Sequence, residues 1–118
     1  MQNNAKIVLI TDDVAAGAIH TSIKNRCVIT EVIRAKEMAV LLALDFKKCS
    51  YVVIFDSEME LNLRDHLFKL KARYSQKLVL VQMTISTNAA VAREIDFNIN
   101  KLNIEAELAP IYNRLFGE

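Results

Sequence analysis

The stretch KIVLITDD, residues 6–13, joins a β-branched apolar run to two consecutive aspartates, Asp12 and Asp13. The run is too short for a helix and predicts a strand buried in a sheet. A second stretch, YVVIFD at residues 51–56, repeats this arrangement and ends in Asp56. Because parallel strands present their carboxyl ends at one edge of a sheet, we expect the three aspartates to lie close together at that edge.

Apolar runs of strand length alternate along the chain with segments of helical period. The predicted strands are Ile7–Thr11, Val28–Ile33, Tyr51–Phe55, Leu78–Met83 and Phe97–Asn100. The predicted helices are one with Ala15, Ile19 and Ile23 on a single face, Ala35–Lys48, one with Leu63, Leu67 and Leu70, Asn88–Glu94, and one with Ile104, Leu108, Tyr112 and Leu115. Strict alternation predicts one domain over residues 1–118, a doubly wound α/β sandwich with a five-stranded parallel sheet in the order 2-1-3-4-5.

Two residues bear on the shape of the last predicted helix. Asn103 precedes the apolar stripe and is predicted as the N-cap. Pro110 lies within the stripe, where a proline removes a backbone hydrogen bond and clashes with the preceding turn. We therefore expect either a kink near Ala106 or a helix that restarts with Pro110 at its first position.

The bulk composition narrows the class of protein. The chain has 118 residues, of which 53% are hydrophobic, enough to form a core without disulfides or a structural metal. Fifteen basic and fourteen acidic residues leave a net charge of +1, which predicts no nucleic-acid partner. The sequence shows no signal peptide and no apolar stretch long enough to span a membrane. With only Cys27 and Cys49 as thiols, we expect a cytoplasmic protein with reduced cysteines and no membrane contact.

The three aspartates would repel one another unless a positive charge or a proton compensates them. Two unit charges about 4 Å apart cost roughly 4 kcal/mol at an effective dielectric constant of about 20. Lys101 follows the last predicted strand, FNIN, and would reach the same edge of the sheet. Oxygen ligands of this kind also suit Mg²⁺, which takes one or two carboxylates and accepts phosphoryl oxygens. The residues therefore predict a magnesium site beside a lysine.

The order of these polar side chains resembles that of a known family. An acidic pair follows strand 1, Asp56 follows strand 3, a hydroxyl residue follows strand 4, and Lys101 follows strand 5. This order resembles the receiver domain of two-component response regulators, over essentially the whole chain. The segment DSEME at residues 56–60 resembles the family motif D-x-x-M-P, with Asp56 and Met59 matching.

The resemblance implies a role for each residue of the predicted site. Asp56 would be the phosphoacceptor. The implied Mg²⁺ ligands are Asp12, Asp13, Asp56 and the backbone carbonyl of Glu58. Thr84 would hydrogen-bond a phosphoryl oxygen, and Lys101 would pair with the phosphoryl group and with Asp56.

The resemblance also implies partners in a phosphorelay. A histidine kinase or a phosphotransfer protein would supply the phosphoryl group, and a downstream effector protein or domain would respond to it. The protein would not be an enzyme beyond catalysing its own phosphorylation and dephosphorylation. A homodimer through the face formed by helix 4, strand 5 and helix 5 is an arrangement that the resemblance allows.

Several positions depart from the family pattern, and all of them belong to the apparatus that responds to phosphorylation. They are Leu102 where the family has a proline after the lysine, Glu60 at the loop proline, Arg64 at the loop glycine, and Asn98 at the switch aromatic, with Phe97 one position away. Lys101 follows Thr84 by only 17 positions (101 − 84), which predicts a trimmed fourth helix. The carboxylates and the lysine themselves match the pattern.

These departures leave two alternative functions open. One is a receiver-like docking module that binds a partner without phosphorylation, for example within a hybrid sensor kinase. The other is a flavodoxin-like nucleotide-binding enzyme. Phosphate-cradling loops need glycines, and only Gly17 and Gly117 are present, so the sequence disfavours the enzyme.

Each polar residue also has an ordinary structural interpretation. Taken alone, Asp13 and Asp56 would be helix caps or turn residues, and Thr84 a strand-end hydroxyl. His20 and His66 lie apart on predicted helices and predict neither a metal site nor a catalyst. The combination of the residues, in the right order on alternating elements, is what favours the phosphoacceptor site.

Overall fold

The computed structural model describes residues 5–23, 29–85 and 91–116. Within these residues the strands are β1 Ala5–Ile10, β2 Ile29–Arg34, β3 Ser50–Asp56, β4 Leu78–Thr84 and β5 Phe97–Asn100. The helices are α1 Asp13–Ile23, α2 Met38–Leu42, α3 Leu61–Arg73 and α4 Ile104–Phe116, with a short 3₁₀ turn, Lys101–Asn103, before α4. No helix in the described part of the chain has both the length and the apolar character needed to cross a membrane.

The five strands form one parallel sheet in the order β2-β1-β3-β4-β5, which confirms the predicted fold. The strand order reverses between β1 and β3, where Ile10 lies beside Phe55. Their carboxyl ends therefore open into the crevice where ligands bind in sheets of this kind. The next strand, β4, is in register with β3 so that Asp56 lies beside Met83.

Alternate residues of the central strands pack under helices on opposite faces of the sheet. On β1, Ile7 and Leu9 belong to the core beneath α1 and α4, whereas Val8 and Ile10 belong to the core beneath α2 and α3. All four side chains are buried. A strand covered on both faces has no polar alternation, which is why β1 and β3 appear as continuous apolar runs in the sequence.

The second helix is much shorter than the predicted Ala35–Lys48, because α2 ends at Leu42. Beyond α2, Asp45 forms a turn in which its carboxylate accepts a hydrogen bond from the Lys47 N–H (3.0 Å). The Phe46 ring then packs beside Tyr51 of β3, with ring centroids 5.1 Å apart. Tertiary packing and local side-chain bonding thus override the helical period of this segment.

The predicted helix Asn88–Glu94 is not found in the residues that can be compared. Residues 91–94 are not helical, and residues 88–90 lie outside the described ranges, as do Val28 of the second predicted strand, Cys27 and Gly117. Asp96, directly before β5, joins this segment to β4 and α3. Its carboxylate accepts hydrogen bonds from the Leu80 N–H (2.8 Å) and from Lys71 (2.8 Å). These bonds align β5 with β4 without a helix in residues 91–94.

The last helix, α4, runs without interruption through Pro110, so the predicted restart at that residue is wrong. Buried side chains on both sides of the proline, Leu108 and Ile111, hold the two halves against the sheet, while Pro110 itself is exposed. The kink near Ala106 stays a prediction. Asn103 directly precedes α4, the position at which it was predicted, and Asn100 caps the 3₁₀ turn before it by accepting a hydrogen bond from the Leu102 N–H (2.9 Å).

Candidate functional site

Asp12 is fixed in place by the start of α1. One of its carboxylate oxygens, Oδ1, accepts a hydrogen bond from the Ala15 N–H (2.8 Å), and its carbonyl accepts one from the Ala16 N–H (3.0 Å). Asp12 is therefore the helix cap, a role that the sequence assigned to Asp13 when that residue was considered alone. Asp13 is instead the first residue of α1. Its side chain is 83% exposed and faces the cleft.

Lys101 connects the two strand ends that carry the carboxylates. Its ammonium donates a hydrogen bond to Asp12 Oδ2 (2.7 Å) and forms an ion pair with Asp56 Oδ1 (3.0 Å). The 3₁₀ turn that begins at Lys101 is held by Asn100, whose own N–H donates to Glu107 of α4 (3.1 Å). We predicted that Lys101 and the aspartates meet at one edge of the sheet. Asp12 and Asp56 do contact Lys101 there.

These contacts change the ionisation of two groups. The Ala15 N–H first, and Lys101 second, hold the pKa of the Asp12 carboxyl below its usual value. The hydrogen bond to Asp12, with Asp56 adding to it, raises the pKa of the Lys101 amine above its usual value, although partial burial opposes this. Lys101 is therefore fully charged at neutral pH and Asp12 is fully ionised.

Thr11 contacts the predicted phosphoacceptor directly, a role that the sequence did not reveal. Its hydroxyl donates a short hydrogen bond to Asp56 Oδ2 (2.6 Å). Both oxygens of Asp56 thus have partners, because Lys101 holds Oδ1, and the carboxylate is only 20% exposed. This contact could have been predicted from the sequence, because Thr11 is a hydroxyl residue directly before the acidic pair. The sequence analysis used Thr11 only as the last residue of the first strand.

Replacing Thr11 with Val should lower the free energy of unfolding by about 1–2 kcal/mol. Hydrogen bonds to charged groups contribute about 1.5–3 kcal/mol, and the value is reduced here because Asp56 keeps some contact with water. The matched control is Thr21→Val, which removes a hydroxyl whose bond to the Gly17 carbonyl (3.1 Å) is exposed. This control should change stability by no more than about 0.5 kcal/mol. Equal losses for both variants in urea unfolding would contradict the prediction.

Arg34 is a second contact that the sequence did not reveal. Its guanidinium forms an ion pair with Asp13 (Nη1 to Oδ1, 3.1 Å) and donates to the Thr11 carbonyl (Nη2 to O, 2.8 Å). Arg34 is the last residue of β2, and it lies beside Leu9 of β1. The sequence could have predicted this contact, because Arg34 ends the second apolar run and β2 neighbours β1 in the predicted strand order.

The remaining predicted residues, Glu58 and Thr84, lie at the walls of two adjoining clefts. The first cleft, about 570 Å³, is lined by Asp12, Asp13, Arg34, Asp56, Glu58 and Lys101 among others. The second, about 440 Å³, shares Asp56, Glu58 and Lys101 with the first and is also lined by Thr84. Glu58 is exposed, whereas Thr84 is buried. A small anion bound at Asp56 would therefore have Thr84 and Lys101 within the same cleft.

The donor set of the first cleft suits Mg²⁺, although it does not form a closed cage. Its carboxylates, Asp12, Asp13 and Asp56, offer only oxygen ligands, as a hard cation prefers. Among the described residues, no three His, Cys, Asp or Glu side chains are grouped closely enough to hold a metal by themselves. Mg²⁺ usually takes only one or two carboxylates and keeps several waters, so the residues present fit the ion.

The positions that depart from the family pattern have other contacts. Asn98 accepts a hydrogen bond from Gln82 of the neighbouring strand (3.1 Å). Arg64 lies in α3, where its guanidinium is 5.3 Å from the centroid of the Phe68 ring. Leu102 is 76% exposed. Asn98, where the resemblance implied the switch aromatic, thus carries an amide that is bonded across β4 and β5.

Solved structures with the same fold come from bacterial response regulators. The non-phosphorylated receiver domain of the stress response regulator RcsB from Escherichia coli is 17% identical, with a TM-score of 0.70 over 99% of this chain and 96% of that one. RcsB from Salmonella typhimurium is also 17% identical, with a TM-score of 0.71 over all of this chain and 62% of that one. A receiver protein from Dyadobacter fermentans is 13% identical, with a TM-score of 0.68 over 95% and 97%.

Comparisons of sequence alone add nothing to this likeness, since no family model and no curated protein matches the chain. At such low identity the structural likeness establishes the fold and leaves the role of each residue to its chemistry. The chain has the fold of a response-regulator receiver domain.

Proposed function

We propose that this protein is a phosphoacceptor domain of a two-component or phosphorelay system, and that Asp56 accepts the phosphoryl group. The observation that carries the proposal is the position of Lys101, whose ammonium contacts both Asp12 and Asp56 at the point where the strand order reverses. An ammonium beside a half-buried carboxylate is suited to receive the charge of an incoming phosphoryl group.

The chemical step is an in-line displacement at phosphorus. One carboxylate oxygen of Asp56 forms the new bond to phosphorus, while the bond from phosphorus to the donor breaks and its electron pair leaves with the donor. The donor is a phosphohistidine or a small acyl phosphate. Lys101 stabilises negative charge on the transferring group, and Thr84 donates a hydrogen bond to one of its oxygens. Thr11 orients the carboxylate through the bond at Asp56 Oδ2.

Magnesium would be held in the first cleft. The residues that would hold it are Asp12, Asp13, Asp56 and the backbone carbonyl of Glu58. When bound, Mg²⁺ would neutralise charge on the oxygens of the phosphoryl group, in addition to the charge that Lys101 supplies. Among the three proposed carboxylate ligands, Asp13 is the most exposed to an ion arriving from solvent.

The partners follow from this proposal. A histidine kinase or a phosphotransfer protein supplies the phosphoryl group in the cytoplasm, and an effector protein or domain responds to the phosphorylated form. The domain catalyses only its own phosphorylation and dephosphorylation. The resulting acyl phosphate adds negative charge beside Lys101, which changes the contacts at the start of the 3₁₀ turn and of α4.

The proposal is tested by incubating the protein with a small acyl phosphate in the presence and absence of Mg²⁺. We expect intact-mass spectrometry to show one added phosphoryl group, formed faster with Mg²⁺ and removed by mild base. The phosphorylated residue can then be identified by peptide mapping after borohydride reduction, which converts an acyl phosphate at an aspartate to homoserine. An unchanged mass under all conditions would refute the phosphoacceptor function.

A second candidate function, docking without phosphorylation, is favoured by the bond between Gln82 and Asn98. Asn98 takes the position at which the resemblance implies the switch aromatic, and its bond to Gln82 ties β5 to β4. If it prevents switching, phosphorylation should shift the NMR signals of the cleft residues and leave those of β5 and α4 unchanged. Shifts that extend along β5 and α4 would instead favour the switching receiver.

A further inference from the structure

Arg34 places a positive charge at the carboxylate that is most open to a metal ion. Its guanidinium bonds to Asp13 (3.1 Å) and to the carbonyl of Thr11 (2.8 Å), so that it is held at two points. An arginine is charged at all ordinary pH values, and its planar fork can make both bonds at once. The side chain is 29% exposed, which leaves it anchored at the wall of the first cleft.

Among the described side chains in direct contact at this edge, charge is already nearly balanced. Asp12, Asp13 and Asp56 supply three negative charges, while Lys101 and Arg34 supply two positive ones. Lys101 pairs with Asp12 and Asp56, so that Arg34 is the one cation paired with Asp13 among the described residues. A divalent cation that binds Asp13 must therefore replace the guanidinium or bind beside it.

We propose that Arg34 is an internal counter-ion of Asp13 that competes with Mg²⁺ and thereby sets the concentration at which the site takes up the metal. This inference rests on the proposed function, since it concerns the same cleft. The second bond, to the Thr11 carbonyl, does not depend on Asp13. Arg34 thus stays near the cleft after Asp13 turns to the metal, and its charge continues to oppose the ion.

The competition is moderate, because Asp13 is 83% exposed and an exposed ion pair is weak. Mg²⁺ can therefore displace the guanidinium, at a cost that includes residual repulsion between the two cations. Removing the charge of Arg34 should lower the dissociation constant for Mg²⁺ by about 3- to 10-fold.

The test is a titration of the ¹⁵N-labelled full chain with MgCl₂, without any phosphodonor, followed by NMR. Wild type is compared with Arg34→Gln and with Lys6→Gln, in which the lost ion pair (Lys6 to Glu31, 2.9 Å) also joins β1 to β2, but at the opposite end of the strands. We expect tighter Mg²⁺ binding for Arg34→Gln and no more than about a twofold change for Lys6→Gln. Equal or weaker binding in Arg34→Gln, equal gains in both variants, or no binding in any of them would overturn the inference.

A second measurement needs no variant and covers the case in which Arg34→Gln fails to fold. Among the described residues, the buried Arg34 Nε atom has no hydrogen-bond partner, and its N–H can be followed by NMR at mildly acidic pH, where guanidinium protons exchange slowly with water. In wild type this signal should shift with the same midpoint as the backbone amide of Asp13. A signal that stays constant while Asp13 responds would overturn the inference. Phosphorylation of Asp56 is read separately by mass, so this inference can fail while the proposed function stands.

Discussion

Asp56→Asn is expected to abolish phosphoryl uptake, so that no mass increase is seen under conditions in which wild type is fully modified. The amide has nearly the shape of the carboxylate but neither its charge nor its nucleophilic oxygen. The contacts at this position, Thr11 at Oδ2 and Lys101 at Oδ1, show that the neighbourhood is built around a carboxylate. The measurement is intact-mass spectrometry after incubation with a small acyl phosphate and Mg²⁺.

The matched control is Asp65→Asn, the same chemical change at an exposed position of α3. This variant should gain the phosphoryl group at the wild-type rate. If Asp56→Asn still gains it, the acceptor is another residue, and peptide mapping of the product would show which. The fold of both variants is checked by NMR, since Asn in place of Asp leaves Lys101 with Asp12 as its carboxylate partner.

Lys101→Met is expected to slow phosphorylation by about 100-fold or more, while Asp56 stays in place. Removing a single group that stabilises developing negative charge typically costs about 10²–10³ in rate. In this protein the loss has a second consequence, because Lys101 is the cation that contacts both Asp12 and Asp56. Without it the two carboxylates repel each other, and the geometry of the acceptor is less well defined.

The control for charge is Lys36→Met, which removes an exposed lysine from the wall of the same cleft. We expect its phosphorylation rate to remain within about threefold of wild type, because a solvated charge is screened by water and salt. Rates are measured from the time course of the mass increase at several concentrations of phosphodonor. A Lys101→Met variant that reacts as fast as wild type would exclude the role assigned to the lysine.

Among the elements that were predicted correctly, β1 and β3 are buried on both faces. β1 and β3 consist of continuous apolar runs that only a covered parallel sheet can bury, and their side chains divide between two cores as expected. Alternation with helices then restricts the topology to the order that is found. The ends of β1, β3 and β5 could therefore be predicted, and with them the positions of Asp12, Asp56 and Lys101.

The elements that were predicted wrongly lie where packing between distant residues outweighs local preference. The helix predicted as Ala35–Lys48 has good helix formers up to Leu44, but beyond them Phe46 packs on Tyr51 and Tyr74, with centroids 5.1 and 4.3 Å away. Residues 91–94, predicted to be helical, instead lead to Asp96, which is bonded to the backbone of Leu80. The residues that form these contacts, Tyr51 and Tyr74 in one case and Leu80 in the other, lie outside the two segments. The local sequence therefore does not reveal them.

The sequence by itself determined the sheet, its strand order and the gathering of two aspartates and a lysine at one edge, because these depend on apolar runs and on the order of residues. Only the tertiary structure decided which charges pair. Whether Arg34 or Lys101 reaches Asp13, and whether Thr11 bonds to Asp56, depends on side-chain distances of about 3 Å between residues that are 21 or more positions apart. The strength of hydrogen bonds and ion pairs falls off steeply with distance, so strand order alone does not specify which of them form.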